Sequence, residues 1–180
     1  PGFGGSCFKK DILNLVYLAE YFGLFEVASF WNEVVKINNW HQHRISKLIT
    51  KKLFGTLSGK KIAILGFAFK SNTNDTRESA AIQICKDLLE EGAILSIHDP
   101  KVSLKQIEMD LQSTPYLENA KNNKLKEGIW NFSHKIESAL INADAALILT
   151  EWIEYSKINW VEIHKKMRKP AWVFDSRSII

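Results

Sequence analysis

The sequence has only two cysteines in 180 residues, Cys7 and Cys85, with no Cys-x-x-Cys pair and no metal-ligand spacing. That excludes a disulfide framework, makes no case for a metal site, and sets a reducing, cytoplasmic location as the expectation. No apolar run approaches the ~20 residues of a membrane span. No charged segment followed by an apolar core marks a leader peptide. Internal repeats and low-complexity tracts are lacking, and so is the Gly-x-Gly-x-x-Gly fingerprint of dinucleotide folds. Blocks of one charge are nearly lacking too. The net charge is +4, and only "HKKMRKP" concentrates basic residues. Following a helix, that patch suits the negative end of a helix dipole, so nucleic acid is not an expected partner.

What is present is an ordinary globular composition, 46% hydrophobic and 24% charged, long enough for a real core. Ile12, Leu15, Val16, Leu18 and Ala19 recur with helical spacing after Ser6, a good N-cap, until Gly23 ends the run. A second helical pattern carries Val27, Phe30, Trp31, Val34, Val35, Ile37, Ile45, Leu48, Ile49 and Leu53 and stops near Phe54-Gly55. At about 25 to 30 residues it exceeds the usual globular helix and suits a connecting or dimer-forming element. After "LSGKK" the grammar changes. Short apolar runs, "IAIL", "AILSIH", "AALILT" and "AWVFDS", alternate with helical stretches. Alternation of that kind predicts a parallel sheet with helices on both faces. Residues 111–128 read as a polar surface excursion. The expected division is a helical segment over 1–55 and an α/β domain over 56–180.

Three places could carry chemistry. "PGFGGSCFKKD" puts Cys7 where a helix begins, with Asp11 one turn further on the same face. A helix N-terminus and the neighbouring Lys9 and Lys10 favour a thiolate, and a nearby carboxylate can assist hydrolysis of a covalent intermediate. An isolated Cys-x-x-x-Asp more often holds a structural thiol, but a packed structural cysteine does not need the glycines before it. "GFAFKSNTNDTRES" follows the first strand, where open parallel sheets bind nucleotides, and offers Lys70 and Arg77 to phosphates. The plainer reading is a polar loop with Asp75 or Thr76 capping the next helix. Arg177 lies just past the last strand, at the ligand-binding edge. Asp99 stands where dinucleotide folds keep a ribose ligand, yet Asp-Pro is first of all a turn. Cys85 reads as core. His41 and His43 diverge on their helix, and the six tryptophans read as packing.

Taken together, "GFGGSCFKKD", "ILGFAFKSNTNDTRES", "HDPKV", "TEW" and "FDSR" resemble, in this order, the UDP-glucose/GDP-mannose dehydrogenase superfamily. The second stretch looks most like its UDP-glucose branch. The resemblance implies a Rossmann-like C-terminal domain binding UDP-glucose or a related UDP-sugar, and a homodimer or higher homo-oligomer. It implies a two-step oxidation of a primary alcohol to a carboxylate, UDP-glucose to UDP-glucuronate, with NAD reduced twice. By the same resemblance Cys7 is the nucleophile and Asp11 assists it, Lys10 and Arg77 meet NAD, and Gly4, Phe8, Phe69, Lys70 and Arg177 contact the UDP-sugar. The family also carries an NAD-binding domain and a lysine ahead of this stretch. The chain opens on Pro1 inside a motif, so residues are expected upstream and no turnover is expected from these 180 alone. The alternative is a nucleotide-sugar-binding or dimerisation module without turnover.

Overall fold

The computed structural model describes residues 1–116 and 128–180, so most of the expected excursion lies outside the described residues. Helix α1, Phe8–Tyr21, starts where the glycines stop, and Gly23 at φ +70° ends it. Its N-cap is Cys7 rather than Ser6, and no side chain caps it. Cys7 already has helical dihedrals, while the Ser6 hydroxyl lies 3.6 Å from the Cys7 sulfur. Helix α2, Phe25–Lys52, is about 42 Å long at 1.5 Å per residue. Its first half packs on α1 and its second half on the α/β part.

Five parallel strands follow: β1 Lys61–Leu65, β2 Ile94–His98, β3 Ile129–Phe132, β4 Ala145–Ile148 and β5 Trp172–Asp175, in the order β3-β2-β1-β4-β5. Helices α3 (Ala80–Glu90), α4 (Leu104–Leu111), α5 (Ile136–Leu140) and α6 (Trp160–Lys166) complete the crossovers and cover both faces. Two elements were not legible from pattern. Strand β3 is a four-residue edge segment, and α4 is two turns long with Ser103 as its N-cap. Both are too short for periodicity to stand out.

The core runs through Ile62, Ile64 and Leu65 on β1, Leu95 and Ile97 on β2, and Leu147 and Ile148 on β4, with Ile84 and Leu88 of α3 above them. Ile49 and Leu53 at the end of α2, and Leu57 beyond it, are fully buried in the same core. Burying each such side chain stabilises by about 1.5–3 kcal/mol, so α2 is anchored rather than appended. A polar knot reinforces the joint. Asp87 of α3 accepts from the Ser46 hydroxyl (2.6 Å) and from Gln83 Nε2 (2.8 Å), and meets His43 Nδ1 at 2.8 Å. The strand order reverses between β1 and β4, and the carboxyl ends of those neighbours form the crevice where such sheets take ligands.

Candidate active site

The loop after β1 crosses that crevice with the backbone of residues 66–69 closely bonded. Gly66 (φ +97°) lies so close to β4 that a Cβ there would be 2.4 Å from the Thr150 side chain. Thr150 donates to Ala68 O (2.6 Å) and Ser79 to Phe67 O (2.7 Å), while Phe69 N donates to Asp75 O (3.1 Å). Ser79, not Asp75 or Thr76, caps α3, accepting from Ala81 N. Asp75 is otherwise engaged. Its carboxylate takes a forked pair from Arg77, Nε at 3.0 Å and Nη2 at 2.7 Å, besides the Arg77 amide. Those bonds, the side-chain ones foremost, hold the Asp75 carboxyl below its ordinary range, and Asp75 in turn raises the Arg77 guanidinium.

The glycine-rich segment lies directly on this loop. Gly5 N donates to Arg77 O at 2.9 Å. A Cβ on Gly4 would meet Glu78 O at 2.3 Å, and one on Gly5 would meet the Phe69 ring at 2.9 Å. Only bare backbone permits that approach, which answers why glycines precede the thiol. Cys7 follows, exposed at the start of α1, with Asp11 also exposed one turn on and its amide bonded to Cys7 O (2.8 Å). Lys9 turns away to pair with Glu78 at 2.7 Å, and Lys10 is exposed. Phe8, more than half exposed, meets Phe3 edge to face at 4.7 Å.

From the other side, Arg177 reaches across the edge of the sheet. Its Nε donates to Leu149 O (2.7 Å) and Nη2 to Phe69 O (3.1 Å), joining the ends of β5 and β4 to the loop. Glu151 stands 3.3 Å from the same Nε and accepts from Ser71 N at 3.2 Å. Lys70 is exposed, with its ammonium 5.5 Å from the Phe69 ring centre. The Arg177 backbone is fixed as well, since Asp175 accepts from Arg177 N, Ile179 N and Ile180 N. Burial alone would raise the Asp175 carboxyl, but the backbone donors together hold it low. Gly4, Phe69, Arg77 and Arg177 thus form one contiguous surface, with Cys7, Phe8 and Lys70 at its margins.

Asp99 does not project as a ribose ligand. It is buried, and its Oδ2 accepts from Phe67 N (2.7 Å), Ala68 N (3.0 Å) and Trp152 Nε1 (3.2 Å) while Oδ1 takes Lys101 N and Val102 N. The two amides that would cradle a pyrophosphate after β1 are therefore already occupied by an internal carboxylate. Residue reasoning also missed Asn38, Thr150 and Glu151. Only "TEW" hinted at the last two. Cys85 is fully buried, and burial pushes its thiol far up. His43 pairs with Asp87, and among the described residues no group of acidic, histidine or cysteine side chains is arranged to hold a metal. Of the tryptophans, Trp130 and Trp152 are core, whereas Trp40 is 59% exposed.

Residues 63–180 match the family model described as the UDP-glucose/GDP-mannose dehydrogenase family, UDP binding domain. The chain is 48% identical over 179 residues to a UDP-glucose 6-dehydrogenase of Drosophila melanogaster, covering 99% of this chain and 37% of that protein. It is 45% identical over 186 residues to UDP-glucose 6-dehydrogenase 3 of Arabidopsis thaliana, covering 99% and 38%. A solved UDP-glucose dehydrogenase from the archaeon Pyrobaculum islandicum superposes with a TM-score of 0.76 at 27% identity, over 99% of this chain and 35% of that one. The chain therefore spans little more than a third of the curated relatives it matches.

Proposed function

The chain belongs to the UDP-glucose/GDP-mannose dehydrogenase family, and from that premise we propose that it is the nucleophile-bearing, UDP-sugar-binding portion of an NAD-dependent UDP-glucose 6-dehydrogenase. The observation that carries this reading is the seating of the glycine-rich segment on the loop after β1. It sets the segment that leads into Cys7 against the loop that carries Arg77 and Phe69, which Arg177 bonds from the other side.

Lys70 and Arg177 hold the UDP end of the substrate, with Phe69 beside them, and Gly4 and Phe8 line the sugar. Cys7 attacks the C6 aldehyde left by the first oxidation, forming a thiohemiacetal. A free aldehyde would diffuse away between the two oxidations; the covalent bond retains it. The second oxidation leaves a thioester on Cys7. Water assisted by Asp11 then cleaves the C–S bond, releasing the carboxylate and returning the thiol. NAD, when bound, supplies the hydride acceptor for both oxidations. The slot after β1 does not suit its pyrophosphate, because Asp99 fills it. Lys10 and Arg77 would hold the cofactor instead.

Val27, Phe30, Ile37 and Leu48 on α2 remain exposed, an apolar face suited to a second copy of the chain. No helix among the described residues is long and apolar enough to cross a membrane.

The decisive experiment sets Cys7→Ala, Cys7→Ser and Asp11→Asn in the full-length protein against wild type, with UDP-glucose as substrate. Cys7→Ala should form no acid, and Cys7→Ser should form it very slowly. Asp11→Asn should lose turnover more than substrate binding. The 180 residues alone should bind UDP by calorimetry yet produce no NADH. Full activity of Cys7→Ala would refute the mechanism.

A further inference from the structure

We propose that Asn38 is a positioning residue for Cys7, acting through the glycine-rich segment; this rests on Cys7 being the nucleophile. Asn38 lies mid-way along α2 and is 5% exposed. Asparagine is a poor residue for a helix interior, and a buried amide is costly unless bonded. Its partners are not on α2 or on the α/β core. Asn38 Oδ1 accepts from Phe3 N at 2.8 Å, and Nδ2 donates to Phe3 O at 3.1 Å. The side-chain amide thus supplies both halves of a strand-like rung to a segment 35 residues away. Gly2, at φ +90°, comes so close that a Cβ there would sit 2.5 Å from Asn38 Oδ1. Gly2 and Asn38 are a matched pair.

Among the described residues, two attachments hydrogen-bond residues 1–5 to the rest of the chain: Asn38 at Phe3, and Arg77 O at Gly5. Cys7 comes two residues after the second. A segment held at two points has a fixed direction where it enters α1. Held at Gly5 alone, it pivots, and no side-chain cap restrains the start of α1. Asn38 therefore sets where the thiol stands without touching it, from a helix that is itself rooted in the core by Ile49.

The test uses Asn38→Ala and Gly2→Ala in this chain and in the full-length protein. In this chain Cys85 is fully buried, so alkylation of the native protein by iodoacetamide reads Cys7. Both variants should keep the far-ultraviolet circular dichroism of wild type. Amide exchange at Phe3 and Gly5 should quicken about tenfold or more while α3 stays protected, and the Cys7 alkylation rate should change at least ~threefold. In the full-length protein kcat should fall about tenfold with KM for UDP-glucose within about twofold. The double variant should lose no more than the worse single one, because removing the amide also removes the clash at residue 2. If Asn38→Ala does not fold, Gly2→Ala decides alone. Unchanged Gly5 exchange and Cys7 alkylation would overturn the proposal. A loosened segment with undiminished oxidation would overturn Asn38 as a positioning residue, whereas full activity of Cys7→Ala would overturn the reading it rests on.

Discussion

Replacing Gly4 with alanine isolates the close approach on which the site depends. Gly4 has an ordinary backbone conformation, so the substitution adds a methyl group and little backbone strain. That methyl carbon would lie 2.3 Å from Glu78 O and 3.2 Å from Phe69 Cβ. A carbon and a carbonyl oxygen settle at about 3.3 Å, so the segment must lift by roughly 1 Å. The carbonyl cannot yield instead, because it belongs to the loop held by Ser79 and Asp75. Overpacking of this kind costs about 1–3 kcal/mol, or roughly 2 to 12 °C in Tm for a chain of this size. The functional cost is larger in proportion. Misplacing a reacting group by ~1 Å can cost on the order of 100-fold in rate, and Cys7 is three residues away. Gly23→Ala is the control. It sits at φ +70° with nothing within 4 Å of its added methyl, so it carries only the left-handed backbone penalty of about 1–2 kcal/mol. Thermal melts should place both variants in one range. UDP-glucose oxidation by the full-length protein, with Cys7 alkylation in parallel, should separate them sharply. Equal losses in the two, or a Gly4→Ala protein as active as wild type, would refute the steric argument.

Arg177→Lys keeps the charge but loses the fork that bonds Leu149 O and Phe69 O, so UDP affinity by calorimetry should fall about tenfold, with a stability loss of ~1–2 kcal/mol. Asp175 has a lowered folded-state pKa, so its contribution is fully present above about pH 4 and drains as pH falls through the folded value. The gap in urea midpoint between wild type and Asp175→Asn should therefore narrow from about pH 6 to about pH 3; a constant gap would refute the assignment. Phe30→Lys on the exposed face of α2 should lower the mass found by light scattering at micromolar concentration, and an unchanged dimer would move the interface elsewhere.

Much of the fold follows from local grammar. The switch from helical period to short apolar runs near Lys60 marks the helical segment and the sheet, because strands buried on both faces read as continuous apolar runs that are too short to be helices. Strand β3 escapes, since "IWNF" is short and only Trp130 in it is fully buried. At the site, the residues proposed to meet the ligand stand out in the sequence as glycine, cysteine and arginine in odd company. Those that hold the site together were not. Asn38, Asp99, Thr150 and Glu151 act across 26 to 82 residues of sequence, and no local pattern distinguishes a buried asparagine bonded to a distant backbone from one facing water. Ser6 and Ser79 make the same point. Each fits the preferences of an N-cap, and only the path of the chain decides which is used.

Asp99 has a consequence for how this domain meets its solvent. Here the anion that binds the loop after β1 is part of the chain. Its carboxylate travels with the fold, at a fixed stoichiometry of one and with no dissociation constant to satisfy. The loop after β1 therefore has its shape before any ligand comes, and that shape is indifferent to the ionic history of the sample.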